Sequence, residues 1–256
     1  MRYRNSLPAS LLTLALVATL AACDDKPKDG ASTSKEGPTA SASAKPSASV
    51  PKEEPVPTQT TLSLDDVALT VNGERVLFEG PDAKGRIAAA LAGKPKIAGE
   101  KVPLAVLRAA KTPKVVLVAA ALKEAKATGV LVRAQKRDNA MSELELSWEA
   151  PLPCSAVASI GKDVAISVWT VGGTTAKRFA KGMAGPDLTL GSEGFRKGVN
   201  ACESGIAVLA ADESVTWGLV FDLALATKEP ADSKKLLGLR FTLASDAVAG
   251  RKVTPL

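Results

Sequence analysis

The sequence predicts an α+β protein made of two tandem two-layer domains, each a small mixed sheet with two helices on one face, after a disordered tether. Three observations predict it. Landmarks recur in the same order: "DVALTV" (Asp66–Val71) and "DVAISV" (Asp163–Val168), "GPD" at Gly80 and at Gly185, then "AVLRAAKTPKVVLVAAALK" from Ala105 and "AVLAADESVTWGLVFDLAL" from Ala207. Each half alternates strand-like and helix-like runs, and helices segregated against one sheet give a two-layer α+β unit. Residues 24–60 are rich in Pro, Ser, Ala, Lys and Glu, with Val50 and Val56 the only large aliphatic side chains. Such a composition buries too little apolar surface to offset the entropy of ordering, so a disordered tether is expected.

At the N-terminus, Arg2 and Arg4 precede the apolar run Leu11–Ala22. A basic start, a short apolar segment and small residues before a break describe an export signal over residues 1–22. The run is shorter than the about 20 residues a bilayer-spanning helix needs; a retained anchor helix is the alternative. Leu20-Ala21-Ala22-Cys23 resembles the lipobox of bacterial lipoproteins. That resemblance implies that Cys23 is acylated and becomes the first mature residue, and several acyl chains give stable anchoring. Residues 23–60 then hold the folded part off the membrane, a coil of this length spanning roughly 30 Å.

The first repeat is expected over residues 61–149. "ALTV" and "ERVLF" flank Asn72-Gly73, a two-residue hairpin turn. The helical segment "DAKGRIAAALAG" follows, then the Ala105 strand and its helix, "GVLVRAQ", and an alternating closing strand, "SELELSW". Glu149–Pro153, with two prolines, reads as a hinge. The second repeat, residues 154–256, runs in the same order through "SEGFRKGVNACE" and "LLGLRFTLA". One intertwined domain is the alternative.

The net charge of +6 favours an anionic surface but is too dilute for a nucleic-acid site. Of three cysteines, Cys154 and Cys202 remain beside Cys23. In an oxidising compartment they are expected to pair, contributing about 4 kcal/mol in the chain-entropy account; two free buried thiols are the alternative. The chain has no histidine, which removes Ser-His-Asp and Cys-His catalysis and histidine-ligated metals. Ser159-Ile-Gly-Lys162 matches a Ser-x-x-Lys pattern but precedes a strand, whereas that nucleophile opens a helix. Gly172-Gly173 lacks phosphate-loop spacing and reads as a turn. No catalytic residue, metal site or cofactor is expected.

Ala211-Asp212, Val215-Thr216-Trp217-Gly218-Leu219-Val220 and the following Asp222 resemble the periplasmic domain of the ExbD/TolR biopolymer-transport family. There a strand ends in Ala-Asp and a Val-x-(Tyr or Trp)-Gly-x-Val element opens a helix. Ser214 is expected to cap that helix, with Asp212 and Glu213 complementing its dipole. In the first half, Ala110 and Lys111 stand where Asp212 and Glu213 do, and Val115-Val116 stands for Trp217-Gly218. The family's transmembrane helix with its acidic residue has no counterpart in Leu11–Ala22, so the motor role is not implied. What the resemblance implies is contact with cell-wall polymer or an envelope protein partner, through two domains that mimic a dimer within one chain. The candidate partner-binding residues are Asp212, Trp217, Lys177, Arg178, Lys181, Arg196 and Lys197. The expected function is a non-enzymatic, lipid-anchored binding or scaffold module on the periplasmic face of a membrane. An accessory subunit of an ExbD/TolR-type transport or secretion assembly is the alternative, and an envelope enzyme with an unrecognised site comes third.

Overall fold

Alternation of buried and exposed residues builds strands, and apolar stripes build the helices that cover them. The computed structural model describes residues 59–182, 185–229 and 234–256. The export signal, Cys23 and nearly all of the tether lie outside the described residues. The first half contains β1 (Leu62–Leu64), β2 (Ala68–Val71), β3 (Glu74–Leu77), α1 (Ala83–Leu91), β4 (Lys101–Val106), α2 (Thr112–Glu124), β5 (Gly129–Gln135) and β6 (Met141–Ser147). The second contains β7 (Ala156–Ile160), β8 (Ile166–Thr170), β9 (Lys177–Phe179), α3 (Leu188–Ala201), β10 (Ile206–Ala211), α4 (Trp217–Lys228), α5 (Lys234–Leu237) and β11 (Arg240–Ala244).

These strands form one sheet of 11 strands in the order β3-β2-β1-β4-β5-β6-β11-β10-β7-β8-β9. The two small tandem two-layer domains expected from the sequence are therefore corrected to a single large mixed sheet with, among the described residues, five helices. The fusion runs through β6. It pairs antiparallel with β5 from Met141 to Ser147, and its Leu146 pairs with Phe241 of β11. The segment expected as a hinge, Glu149–Pro153, joins two strands of the same sheet, and Glu149 forms an ion pair with Arg240 of β11. One apolar cluster runs unbroken from Leu62 to Leu243 and draws on all five helices. A second cluster, on the other face, contains no helical residue.

Within this sheet both halves follow one strand order. Each has an antiparallel three-strand ribbon, β1-β2-β3 or β7-β8-β9, followed by two parallel additions, β4 and β5 or β10 and β11. The expected turn at Asn72-Gly73 is present, both residues having positive φ (50° and 87°) as a type I′ turn demands. The registers also correct the sequence alignment. Ser63 pairs with Ala105 and Ser159 with Ala210, so Ala105 corresponds to Ala210 rather than to Ala207. The Leu107 N–H donates to Leu64 O as the Asp212 N–H donates to Ile160 O. Leu107 and Arg108, not Ala110 and Lys111, thus stand where Asp212 and Glu213 stand; Thr112 stands for Trp217.

A shared sheet and a shared core predict cooperative unfolding. Denaturant titration should give one transition with coincident fluorescence and far-UV signals. Two resolved midpoints would mean that the halves fold separately.

Candidate functional site: two matching hollows and the seam between them

The first N–H groups of a helix have no partner within it. The N-caps of α2 and α4, Lys111 and Thr216, offer no side-chain bond. The two helices cap each other instead. Thr112 N–H donates to Val215 O (3.0 Å), Trp217 N–H to Ala110 O (2.7 Å) and Gly218 N–H to Arg108 O (2.9 Å), and Lys111 bridges Thr216. Lys111 Nζ and Thr112 Oγ1 add bonds to Ser214 O (2.8 Å) and Val215 O (3.0 Å). Ser214, expected to cap α4, donates its hydroxyl to Asp212 Oδ1 (2.6 Å). Gly218 allows this close approach: a Cβ would lie 3.0 Å from the Arg108 side chain and 3.1 Å from its carbonyl oxygen.

Beside this seam, Arg108 grips Asp222 with both terminal nitrogens, at 2.9 and 2.7 Å. Arg137 Nε donates to the same carboxylate at 2.8 Å, and Arg108 Nη1 also reaches Gln135 O at 2.7 Å. The Asp222 side chain is only 10% exposed. Bidentate, charge-assisted bonds of this kind are among the stronger polar contacts. The hydrogen bond to Asp222 raises the Arg108 pKa above its ordinary value, against burial, which lowers it. Neither arginine carried a sequence signal, because each meets Asp222 only through the fold.

The corrected registers place two hollows at equivalent points, outside the carboxyl ends of the parallel strands. Open α/β sheets place their ligands at such ends. The first, about 340 Å³, lies over Ser63, Ala105, Leu107, Arg133, Gln135 and Met141. The second, about 370 Å³, lies over Ser159, Ala210, Asp212, Glu213 and Asp246. Their chemistry differs. Leu107 and Met141 stand 62% exposed in the first, beside Asp65 and Arg108, whereas Asp212, Glu213 and Asp246 line the second beside Val248. Hydrogen bonds from the Ser214 hydroxyl and N–H hold the Asp212 carboxyl below its usual range, with Lys162 adding to the effect.

Most of the remaining candidates are taken up by burial or by local contacts. Trp217 is fully buried, its ring 6.3 Å from Phe221, and it presents no face to a partner. Lys177 lies 5.3 Å over the Phe179 ring, Arg178 pairs with Asp163, and Lys181 is 3.9 Å from Asp187. The Arg178 bond holds the Asp163 carboxyl below its usual range. Arg196 caps the carboxyl end of α4, donating to Ala226 O (2.8 Å), Thr227 O (3.1 Å) and Glu229 O (2.6 Å). Lys197 is exposed on α3. Cys154 and Cys202 are joined, their Cα atoms 5.3 Å apart. Among the described residues, no group of three His, Cys, Asp or Glu could hold a metal ion, and no helix is long and apolar enough to cross a membrane.

Asp222→Asn keeps the shape but removes the charge facing two guanidinium groups. It should lower the unfolding free energy by about 2 kcal/mol, the scale of hydrogen bonds to charged groups, in a denaturant titration with unchanged slope. A change below about 0.5 kcal/mol, ordinary for a surface substitution, would remove the cluster from the seam's stability. No protein-family model matches this chain, and no curated protein or solved structure matches it.

Proposed function

We propose that this protein is an exported, lipid-anchored envelope module that binds a protein partner without catalysing a reaction, the partner seating in the first-half hollow. The observation that carries this reading is the pair of large apolar side chains, Leu107 and Met141, left standing in water at the carboxyl ends of β1, β4 and β5. Apolar side chains grouped in the open mark interaction surfaces, and Met is enriched at protein interfaces. A cell-wall polymer is the weaker occupant: Arg178, Lys181 and Arg196, which would have met its anionic groups, are engaged by Asp163, Asp187 and the end of α4. Leu20–Cys23 supports the lipid anchor, with no small-molecule cofactor and no nucleic acid involved. The second reading, an accessory subunit of an ExbD/TolR-type assembly, rests on the Ala211–Asp222 likeness and uses the same docking.

A photo-crosslinking residue placed at Leu107 or Met141 in intact cells should yield a discrete protein adduct. The same residue at Lys197 should not. Cys23→Ser should release the protein from the membrane fraction. No adduct at either hollow position, with salt-sensitive pelleting of the protein on purified cell wall, would overturn the protein-partner reading.

A further inference from the structure

Among the described residues, the arginine ion pairs are matched one to one, with a single exception. Arg75 pairs with Asp65, Arg133 with Glu143, Arg178 with Asp163 and Arg240 with Glu149. At the seam, two guanidinium groups, those of Arg108 and Arg137, share the one carboxylate of Asp222. One positive charge is left over, and it is left in a partly enclosed place. The three residues line a hollow of about 310 Å³ at the start of α4, together with Ala109, Thr216 and Gly218. Asp138 and Glu229, the nearest other carboxylates, flank Lys136 at 3.6 and 4.0 Å. They line a neighbouring hollow beyond Arg137 and not this one.

What this hollow offers is donors. Asp222, the only carboxylate in its lining, has both oxygens engaged, by Arg108 at 2.9 and 2.7 Å and by Arg137 Nε at 2.8 Å. Arg137 is 65% exposed, and its two terminal nitrogens donate to no described group. The Thr216 hydroxyl makes no capping bond to α4, and the Ala109 N–H has no backbone acceptor. The first N–H groups of α4 are already taken: Trp217 donates to Ala110 O, Gly218 to Arg108 O and Leu219 to Thr216 O. The helix start therefore adds its dipole and no donor. Two such starts, those of α2 and α4, meet at the seam, and the positive ends of both dipoles favour negative charge nearby.

We infer that this hollow binds a small oxyanion, a carboxylate or phosphate group, across the seam between the halves. The free end of the Arg137 guanidinium presents two parallel N–H donors, a fork that matches either group at two points. Thr216 of the second half and Ala109 of the first supply single donors. The occupant neutralises the charge that Asp222 leaves unmatched. It is small, because the hollow is, and it is acceptor-only, because the free polar groups around it are donors. The site requires neither the lipid anchor nor a partner in the Leu107 hollow.

The test titrates sodium phosphate and, separately, sodium acetate into the full chain in non-ionic detergent. Chloride is exchanged for the added anion so that ionic strength stays constant, and the Arg137 Nε–H and Ala109 N–H signals are followed by NMR. Both signals should shift together and saturate with one dissociation constant. Arg137→Gln, read at Ala109, should weaken binding at least about tenfold, the scale of a hydrogen bond to a charged group. Lys123→Gln, exposed near the far end of α2, should leave it unchanged. Tighter binding of phosphate assigns a phosphate-bearing ligand, and tighter binding of acetate a carboxylate-bearing one. Shifts that grow without saturating for both anions, or a dissociation constant unaltered in Arg137→Gln, would overturn the site. If Arg137→Gln does not fold, the unmodified chain decides. Saturating shifts centred on Arg137, Ala109 and Thr216 support the site, and saturating shifts centred elsewhere overturn it.

Discussion

The two halves are tied together by the unmet hydrogen bonds at the start of α2 and α4. A helix that begins without a capping side chain leaves donors that cost free energy when buried. Here each helix finds its acceptors on the other half's strand-to-helix loop: Thr112 on Val215, Trp217 on Ala110. The arrangement is reciprocal, so neither half completes its helix alone. Arg108 reinforces it twice, accepting the Gly218 N–H with its carbonyl and holding Asp222 with its guanidinium. The same contact lays α4 against β5 and β6 as well as β10, so one core runs across the sheet that Leu146 and Phe241 join.

Equal topology with unequal chemistry is what makes the halves functionally distinct. On the face away from the helices, the first half carries Lys101–Glu145 and Arg133–Glu143 pairs and stands in water. The corresponding face of the second half is apolar and needs a cover. At the strand ends the contrast reverses: Leu107 is exposed where the second half has Asp212. The halves thus differ in where their apolar side chains lie: in the open at the strand ends of the first, and beneath residues 245–256 in the second.

Local signals were legible in the sequence, and those that depend on distant pairing were not. The Asn72-Gly73 turn and the hairpin, helices and strands around it follow from nearest-neighbour chemistry. β1 and β7, which join each ribbon to its parallel strands, gave no such signal, and Ser159, expected before a strand, lies within β7. The joining of the half-sheets is not local either: it rests on Leu146 meeting Phe241, and "SELELSW" alone reads equally well as an edge. Pro151 and Pro153 resemble a linker because prolines break regular structure, whether between domains or between strands of one sheet. The repeated Ala-Val-Leu misled the alignment, since in a chain this rich in those residues a tripeptide recurs out of register. Burial of Trp217, which the sequence reads first as a core residue and second as a partner platform, had an available signal: "WGLVFDLALA" is apolar nearly all round, the mark of a buried helix. The basic residues looked like a patch because Asp163, Asp187 and the end of α4 are brought to them only by folding.

Hydrogen exchange at the Thr112 and Trp217 amides is the most direct measure of this mutual dependence. Gly218→Val forces a side chain against Arg108, at the point where the start of α4 meets the first half's loop. If each half completes the other's helix, the variant accelerates exchange at both amides together, and by the same factor. Acceleration at Trp217 with Thr112 left unchanged would show that the helices stand independently, and the account of one interlocked molecule would fail.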